Sequence, residues 1–174
     1  MQETVTKLLQ SKLPFFLDRF SSEIESATDF RGDLEIVVAP GKIREMVTFL
    51  KTNGEMPFEI MMDIFGVDYL KFNPETPERF AVIYNLYSLS RGRRVRLKVF
   101  LSEDKPEIDS LCDVYKMADW FERETWDMYG IVFRGHPNLV RILCHNEFVG
   151  YPLRKDYPAD QYQRLKTAAT SSEF

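Results

Sequence analysis

The sequence predicts an α+β fold: a mixed or mainly antiparallel sheet with helices on one face, followed by an extended C-terminal docking segment. Three observations carry this. Strand-like stretches fall in sequence-adjacent runs rather than alternating with helices, which disfavours a parallel βαβ sheet. Residues 93–101 (RRVRLKVFL) place Val95, Leu97, Val99 and Leu101 in strict alternation with Arg94, Arg96, Lys98 and Phe100, the period of a strand with one basic face. From Gly130 onward, Gly130, Gly135, Pro137, Gly150, Pro152 and Pro158 interrupt every regular pattern.

Each element follows from local chemistry. Residues 3–12 and 14–26 read as helical, divided by Pro14. Residues 33–38 (DLEIVV) are short and β-branched and read as a strand. Pro40 then opens the helical stretch GKIREMVTFLKTNG. Proline suits the first turn, Ile43, Val47 and Leu50 share a face, and Gly54 suits the stop. Strands follow at about 58–70 and 79–88 (RFAVIYNLYS), and the SLSRGR connection makes the 79–88 and 93–101 strands a hairpin. Two helical patches come after Ser110, the second at about 119–129. The expected order is α–β–α–β–β–β–α. The expected organisation is an α+β head over residues 1–129 and an extended segment over 130–174 with little core of its own. Such segments lie on other surfaces.

Composition narrows the function. A chain of 174 residues suggests one domain, and at this size roughly 70% of the unfolded surface is buried on folding. The net charge of −4 argues against a general nucleic-acid binder. Cys112 and Cys144 are the only cysteines. They make no disulfide framework and cannot supply the ligands of an ordinary iron–sulfur cluster. Two inert thiols in a reducing compartment are expected. MQETVTKLLQ has no apolar signal region, and no window approaches the roughly 18 apolar residues of a membrane span. Any membrane association is therefore expected to come through a partner.

The densest stretch is ERETWDMYGIVFRGHP, Glu122 to Pro137. Asp119 can cap a helix here, with Glu122 reaching back in a capping box. Gly130 fits the left-handed position past the helix end. At helical spacing, Phe121, Thr125 and Met128 share one stripe, Glu122, Trp126 and Tyr129 a second, and Trp120, Glu124 and Asp127 a third. Large apolar groups thus occur on nearly every side, interleaved with charges, where a surface helix keeps one polar face. A helix covered on most sides is implied, with its desolvated charges paired. Arg123–Asp127 is one candidate pair. Arg134 and Arg141 are candidate partners for Glu122 or Glu124.

Catalysis is weakly supported. Glu122 and Glu124 point roughly 160° apart on a helix and cannot share a site; Glu124 and Asp127 could serve as acid and base. His136 sits in a Gly-His-Pro loop, and His145 is the only other histidine. No HExxH, nucleophile elbow, GxGxxG or Walker loop accompanies them. A free-standing hydrolase using His136 and an acid is the remote alternative. The basic row Arg91, Arg93, Arg94, Arg96 and Lys98 could contact phosphate, but reads better as a solvated face or a contact for an acidic protein. Residues 153–158 (LRKDYP) read as a docking turn.

The stretch ADWFERETWDMYGIVFRGHPNLVRIL resembles the signature of the 30-kilodalton subunit family of respiratory complex I, called the C subunit in bacterial NADH:quinone oxidoreductase. Glu122, Arg123, Glu124, Asp127, Met128, Tyr129, Gly130, Ile131, Phe133, Gly135, His136, Pro137, Asn138, Leu139, Arg141, Ile142 and Leu143 stand where that signature wants them. GYPLRKDYP resembles the family's later motif and contributes Pro152, Leu153, Arg154, Lys155 and Asp156. MMDIFGVDYL, RFAVIYNLYSL and RVRLKVFLSEDKPEIDSL resemble its upstream strands, so the likeness spans about residues 30–158. CHNEFVGYP departs from the family's usual sequence. The resemblance implies a non-catalytic structural subunit of the peripheral arm, with no metal or cofactor of its own; FMN and iron–sulfur clusters belong to other subunits. It implies packing chiefly against the quinone-site subunit (component D of the complex), near components B and I, at the cytoplasmic face of the inner (plasma) membrane. The signature residues would form the interface. The equivalent subunit of a membrane-bound hydrogenase or ferredoxin-linked complex, which share this module, is the second reading.

Overall fold

The computed structural model describes residues 2–71, 76–160 and 163. Helices α1 (Gln2–Lys12) and α2 (Pro14–Phe20) open the chain. Strands β1 (Ile24–Phe30) and β2 (Asp33–Val38) form a hairpin, and a 3-10 turn at Pro40–Lys42 leads into α3 (Ile43–Thr52). Strands β3 (Ile60–Asp68), β4 (Phe80–Ser88) and β5 (Arg93–Leu101) follow, then β6 (Glu107–Asp109), α4 (Ala118–Tyr129) and β7 (Val132–Arg134). The main sheet has the order β1-β2-β5-β4-β3. Its β2–β5 pair is parallel and its other pairs are antiparallel, so the expected mixed sheet forms.

One face of that sheet makes the core. Leu34, Ile36 and Val38, with Val95, Leu97, Val99, Phe80, Val82 and Leu86, are buried against Leu9, Phe16 and Phe20 and against Ile43, Met46 and Leu50 of the helices. The alternation read from residues 93–101 is this burial. The opposite face carries Glu35, Arg94, Arg96 and Lys98.

Helix α4 runs along β3 at the free edge of the sheet. Thr125 Oγ1 donates to the Ile64 carbonyl at 3.3 Å. The Tyr129 ring lies so close to Gly66 that an added Cβ would stand 2.7 Å from it. The helix thereby covers an edge that would otherwise offer open pairing groups.

Two expectations need correction. The helix expected over 14–26 ends at Phe20, and residues 24–30 form β1 instead. As an edge strand with mostly exposed or half-exposed positions, β1 shows no clean alternation, which hides it in the sequence. The strand expected at about 58–70 forms, with its bounds trimmed to Ile60–Asp68. The division at 129/130 does not separate a head from a coreless segment. Ile131 and Phe133 are buried in the main core, and β7 pairs in parallel with β6. Residues 161–162 and 164–174 of the expected C-terminal segment lie outside the described residues. Among the described residues, no helix is long and apolar enough to cross a membrane.

Candidate functional site

Helix α4 ends as the sequence predicts. Gly130 adopts φ +74° and its N–H donates to the Trp126 carbonyl at 2.8 Å. A side chain here would be strained twice. The left-handed backbone disfavours a Cβ, and that Cβ would stand 2.5 Å from the Tyr151 ring and 2.7 Å from Arg154.

The start of the helix differs. Met117 occupies the cap position and makes no side-chain cap, so the Asp119–Glu122 capping box does not form. Glu122 is fully buried and turns instead to the preceding loop, accepting the Leu111 N–H at 2.6 Å. The Cys112 thiol donates to its other oxygen at 3.5 Å. Burial pushes the Glu122 carboxyl above the usual range, although hydrogen bonds from Ser110, Leu111 and Cys112 oppose it. Burial likewise pushes the Cys112 thiol up to about 11, so it is no ready nucleophile.

His136 sits beside this pair. Potential ligand atoms of Cys112, Glu122 and His136 all lie within 4.8 Å of one another. The hydrogen bonds do not suit a metal. His136 Nδ1 accepts the Asn138 N–H at 3.0 Å, which places the proton of a neutral ring on Nε2, facing the Asp119 carbonyl at 3.2 Å. Neither nitrogen keeps a lone pair for an ion. The imidazole is also fully enclosed, and its hydrogen bonds join α4 to the Gly-His-Pro turn. Gly135 turns the chain there with φ +81°, and Pro137 is exposed.

The residue on which the region turns is Asp127. Its side chain is fully buried. Oδ2 accepts three consecutive backbone amides: Ile142 at 3.0 Å, Leu143 at 2.8 Å and Cys144 at 2.9 Å. Oδ1 takes Arg141 Nη1 at 2.5 Å. Burial alone would raise this carboxyl, but the amides and the guanidinium outweigh burial and hold it below the usual range. Arg141 continues outward. Its Nη2 donates to the Gly150 carbonyl at 3.0 Å, and its guanidinium lies over Trp126, Phe148 and Tyr151 at 5.6, 5.5 and 5.7 Å. Arg123 grips the same turn through the Val140 and Arg141 carbonyls, both at 3.1 Å.

A second carboxylate fastens the far end. Asp68 is buried and receives Arg79 through both oxygens, at 3.1 and 2.9 Å. It also accepts the Lys155 N–H at 2.8 Å. Arg79 reaches Asp156 at 2.7 Å and Glu103 at 2.5 Å. Between the two anchors, Leu153 N–H donates to the Met128 carbonyl at 3.1 Å and Arg154 Nε to the Tyr129 carbonyl at 2.6 Å. Residues 138–157 therefore form a strap whose backbone is bound to the body of the protein, with Pro152 half-buried in it.

The strap holds its polar groups inward and several apolar side chains outward. Val140, Leu143, Val149 and Leu153 are 43%, 63%, 73% and 48% exposed. Trp120 on α4 is 56% exposed, with Arg123 5.5 Å from its ring.

The structure thus brings Arg123, Asp127 and Arg141 together on the strap, sets Glu122 beside His136 nearer the start of α4, and fastens Arg154, Lys155 and Asp156 through Tyr129, Asp68 and Arg79. Glu124 faces solvent. The pairings differ from those expected. Asp127 takes Arg141 rather than Arg123, and Arg134 pairs with Asp109 at 2.7 Å. Glu122 takes no cation partner among the described residues, and burial raises its carboxyl above the usual range. Sequence reasoning missed Asp68 and Arg79 entirely. The buried acid at the end of a strand was their only signal.

Comparisons with known proteins agree with this architecture. The profile of the family described as respiratory-chain NADH dehydrogenase, 30 Kd subunit, matches residues 36–163. The NADH-quinone oxidoreductase C subunit of Rhizobium rhizogenes is 40% identical over 157 residues, covering 90% of this chain and 76% of the relative. A trypsin-resistant fragment of Nqo5 superposes with a TM-score of 0.65 at 33% identity, over 75% of this chain and 98% of the fragment. A chain of the membrane-bound sulfane sulfur reductase, an archaeal respiratory membrane complex, shares the fold with a TM-score of 0.71 at 23% identity, over 90% of this chain and 96% of that one.

Proposed function

Because this chain belongs to the 30-kilodalton subunit family of respiratory-chain NADH dehydrogenase, and so is a subunit of a multi-subunit NADH-quinone oxidoreductase, we propose that it serves there as a non-catalytic structural subunit of the peripheral arm. It carries no cofactor; FMN and iron–sulfur clusters sit on other subunits. Its principal partner is the quinone-site subunit (component D), with components B and I nearby, and the complex holds it at the cytoplasmic face of the inner membrane.

One observation supports this reading above the others. The strap exposes Val140, Leu143, Val149 and Leu153 while buried carboxylates fix its backbone. Outward apolar side chains on an ordered backbone suit a surface that a partner covers. The signature residues Glu122, Asp127, Arg141 and Arg154 act beneath that surface, shaping it rather than performing chemistry.

The test is native pull-down with the quinone-site subunit. Loss of binding on deleting residues 145–174, and on the milder change Leu143→Glu, is expected. Full binding by both variants would overturn the docking claim.

A further inference from the structure

The face of the main sheet opposite the core carries a polar row across all five strands. The register places Thr28 beside Glu35, Glu35 beside Arg96, Arg96 beside Asn85 and Asn85 beside Asp63. The row is linked through its middle. Arg96 donates to Glu35 at 3.4 Å and to Asn85 Oδ1 at 3.0 Å. Lys98 also reaches Glu35, at 3.3 Å. Two cations therefore serve one acid, and among the described residues no hydrogen bond carries the row on from Asn85 to Asp63.

Asp63, at one end, is half-buried and has no cation within salt-bridge distance among the described residues. Burial raises its carboxyl above the usual range, with the Ile64 amide as the opposing influence. Arg94, the other cation lining this region, lies against the Tyr87 ring at 5.9 Å. Asp63 stands in a groove of about 820 Å³ whose apolar walls include Phe30, Met62 and Phe121. Phe30 is 70% exposed and Met62 44%. A carboxylate partly removed from water without a counter-charge is unfavourable, and aromatic walls add the apolar half of a binding surface.

We propose that this groove receives a segment of a neighbouring subunit that carries a lysine or arginine between apolar residues, the cation pairing with Asp63 and the apolar flanks lying on Phe30, Met62 and Phe121. The inference rests on the chain being a subunit of a larger complex. It concerns a surface on the opposite side of the sheet from the core helices, distinct from the strap.

The test uses the assembled complex, purified with the chain carrying a photo-cross-linking residue in place of Met62. A cross-link to another subunit, at a peptide containing lysine or arginine, is expected. Asp63→Lys is expected to cut the cross-linked yield about tenfold, the factor that corresponds to roughly 1.4 kcal/mol. Asp63→Asn, which keeps the shape and removes the charge, is expected to lower it less. Cross-links confined to this chain, residues 164–174 included, would overturn the proposal, as would a yield that neither variant changes. Recovery of the complex with this chain present tests the subunit reading separately, since it does not depend on the groove.

Discussion

Replacing Asp127 by asparagine changes one oxygen to a nitrogen, and the geometry leaves that nitrogen nowhere to go. Both carboxylate oxygens face donors: the amides of Ile142, Leu143 and Cys144 on one side, Arg141 on the other. In Asp127→Asn the amide group must oppose one set. Turning it toward the backbone strands three N–H groups at about 1–3 kcal/mol each. Turning it toward Arg141 leaves a guanidinium without its counter-charge, a loss of about 3–5 kcal/mol for a buried pair. Arg141 keeps the Gly150 carbonyl and its aromatic neighbours, so the lower end, about 3 kcal/mol, is expected. That is roughly a hundredfold in an opening equilibrium. Hydrogen exchange reads it directly. The amides of Ile142, Leu143 and Cys144 should exchange about a hundredfold faster in Asp127→Asn, while those of β4 and β5 stay protected, because strap and sheet open as separate units. The folded Asp127 carboxyl lies below its ordinary value. Its contribution is therefore complete above the unfolded pKa and is lost as pH falls through the folded one. Wild-type strap protection should fall in acid, and that of the variant should not follow the same curve. Unchanged exchange at 142–144 in the variant, or equal acceleration in the strap and in β4, would refute the reasoning.

Three further outcomes are expected. Glu122→Gln keeps an acceptor for Leu111 and removes a carboxyl that burial disfavours as an anion. It should cost less than about 1 kcal/mol, and because the folded pKa is raised, the wild type should lose stability relative to it as pH climbs from the unfolded pKa through the folded one; paired urea titrations across pH check this. Gly66→Ala forces a Cβ against the Tyr129 ring and should destabilise by about 1–3 kcal/mol; a thermal midpoint within about 1 °C of wild type (about 0.5 kcal/mol or less at this chain length) would contradict the close packing of α4 on β3. Arg79→Met leaves Asp68 buried without its guanidinium and should cost about 3–5 kcal/mol, with freer exchange at Lys155 as the local mark.

Much of this was legible beforehand, for physical reasons that can be named. Strand β5 announces itself because one face is buried and the other is wet, so period two survives in the residue types. The end of α4 is legible because only glycine takes φ +74° there without strain. Even the covering of α4 on most sides follows from Glu122 and Asp127 lying among Trp126, Met128 and Tyr129. The pairings were not legible. Asp127 and Arg141 are fourteen positions apart, and local spacing favours Arg123, which the strap instead draws to its carbonyls. Strands β1, β6 and β7 were invisible because an exposed edge or a three-residue bridge carries no periodicity. The strap looked coreless because its stability comes from side chains that accept backbone amides, and a sequence does not show where a lone acid points.

The parallel pairing of β2 with β5 also constrains how the chain is made. Leu34 must meet Val95, so the two strands at the heart of the sheet emerge from the ribosome far apart in time. The β1–β2 hairpin, α1, α2 and α3 are synthesised before the strand that completes them exists. Closing that long loop costs chain entropy that only the finished sheet repays. Until β5 arrives, β2 presents an unpaired inner edge and the core faces of the first helices have little to cover them. Ribosome-stalled chains ending before Arg93 should therefore engage chaperones, and chains extended beyond Leu101 should release them.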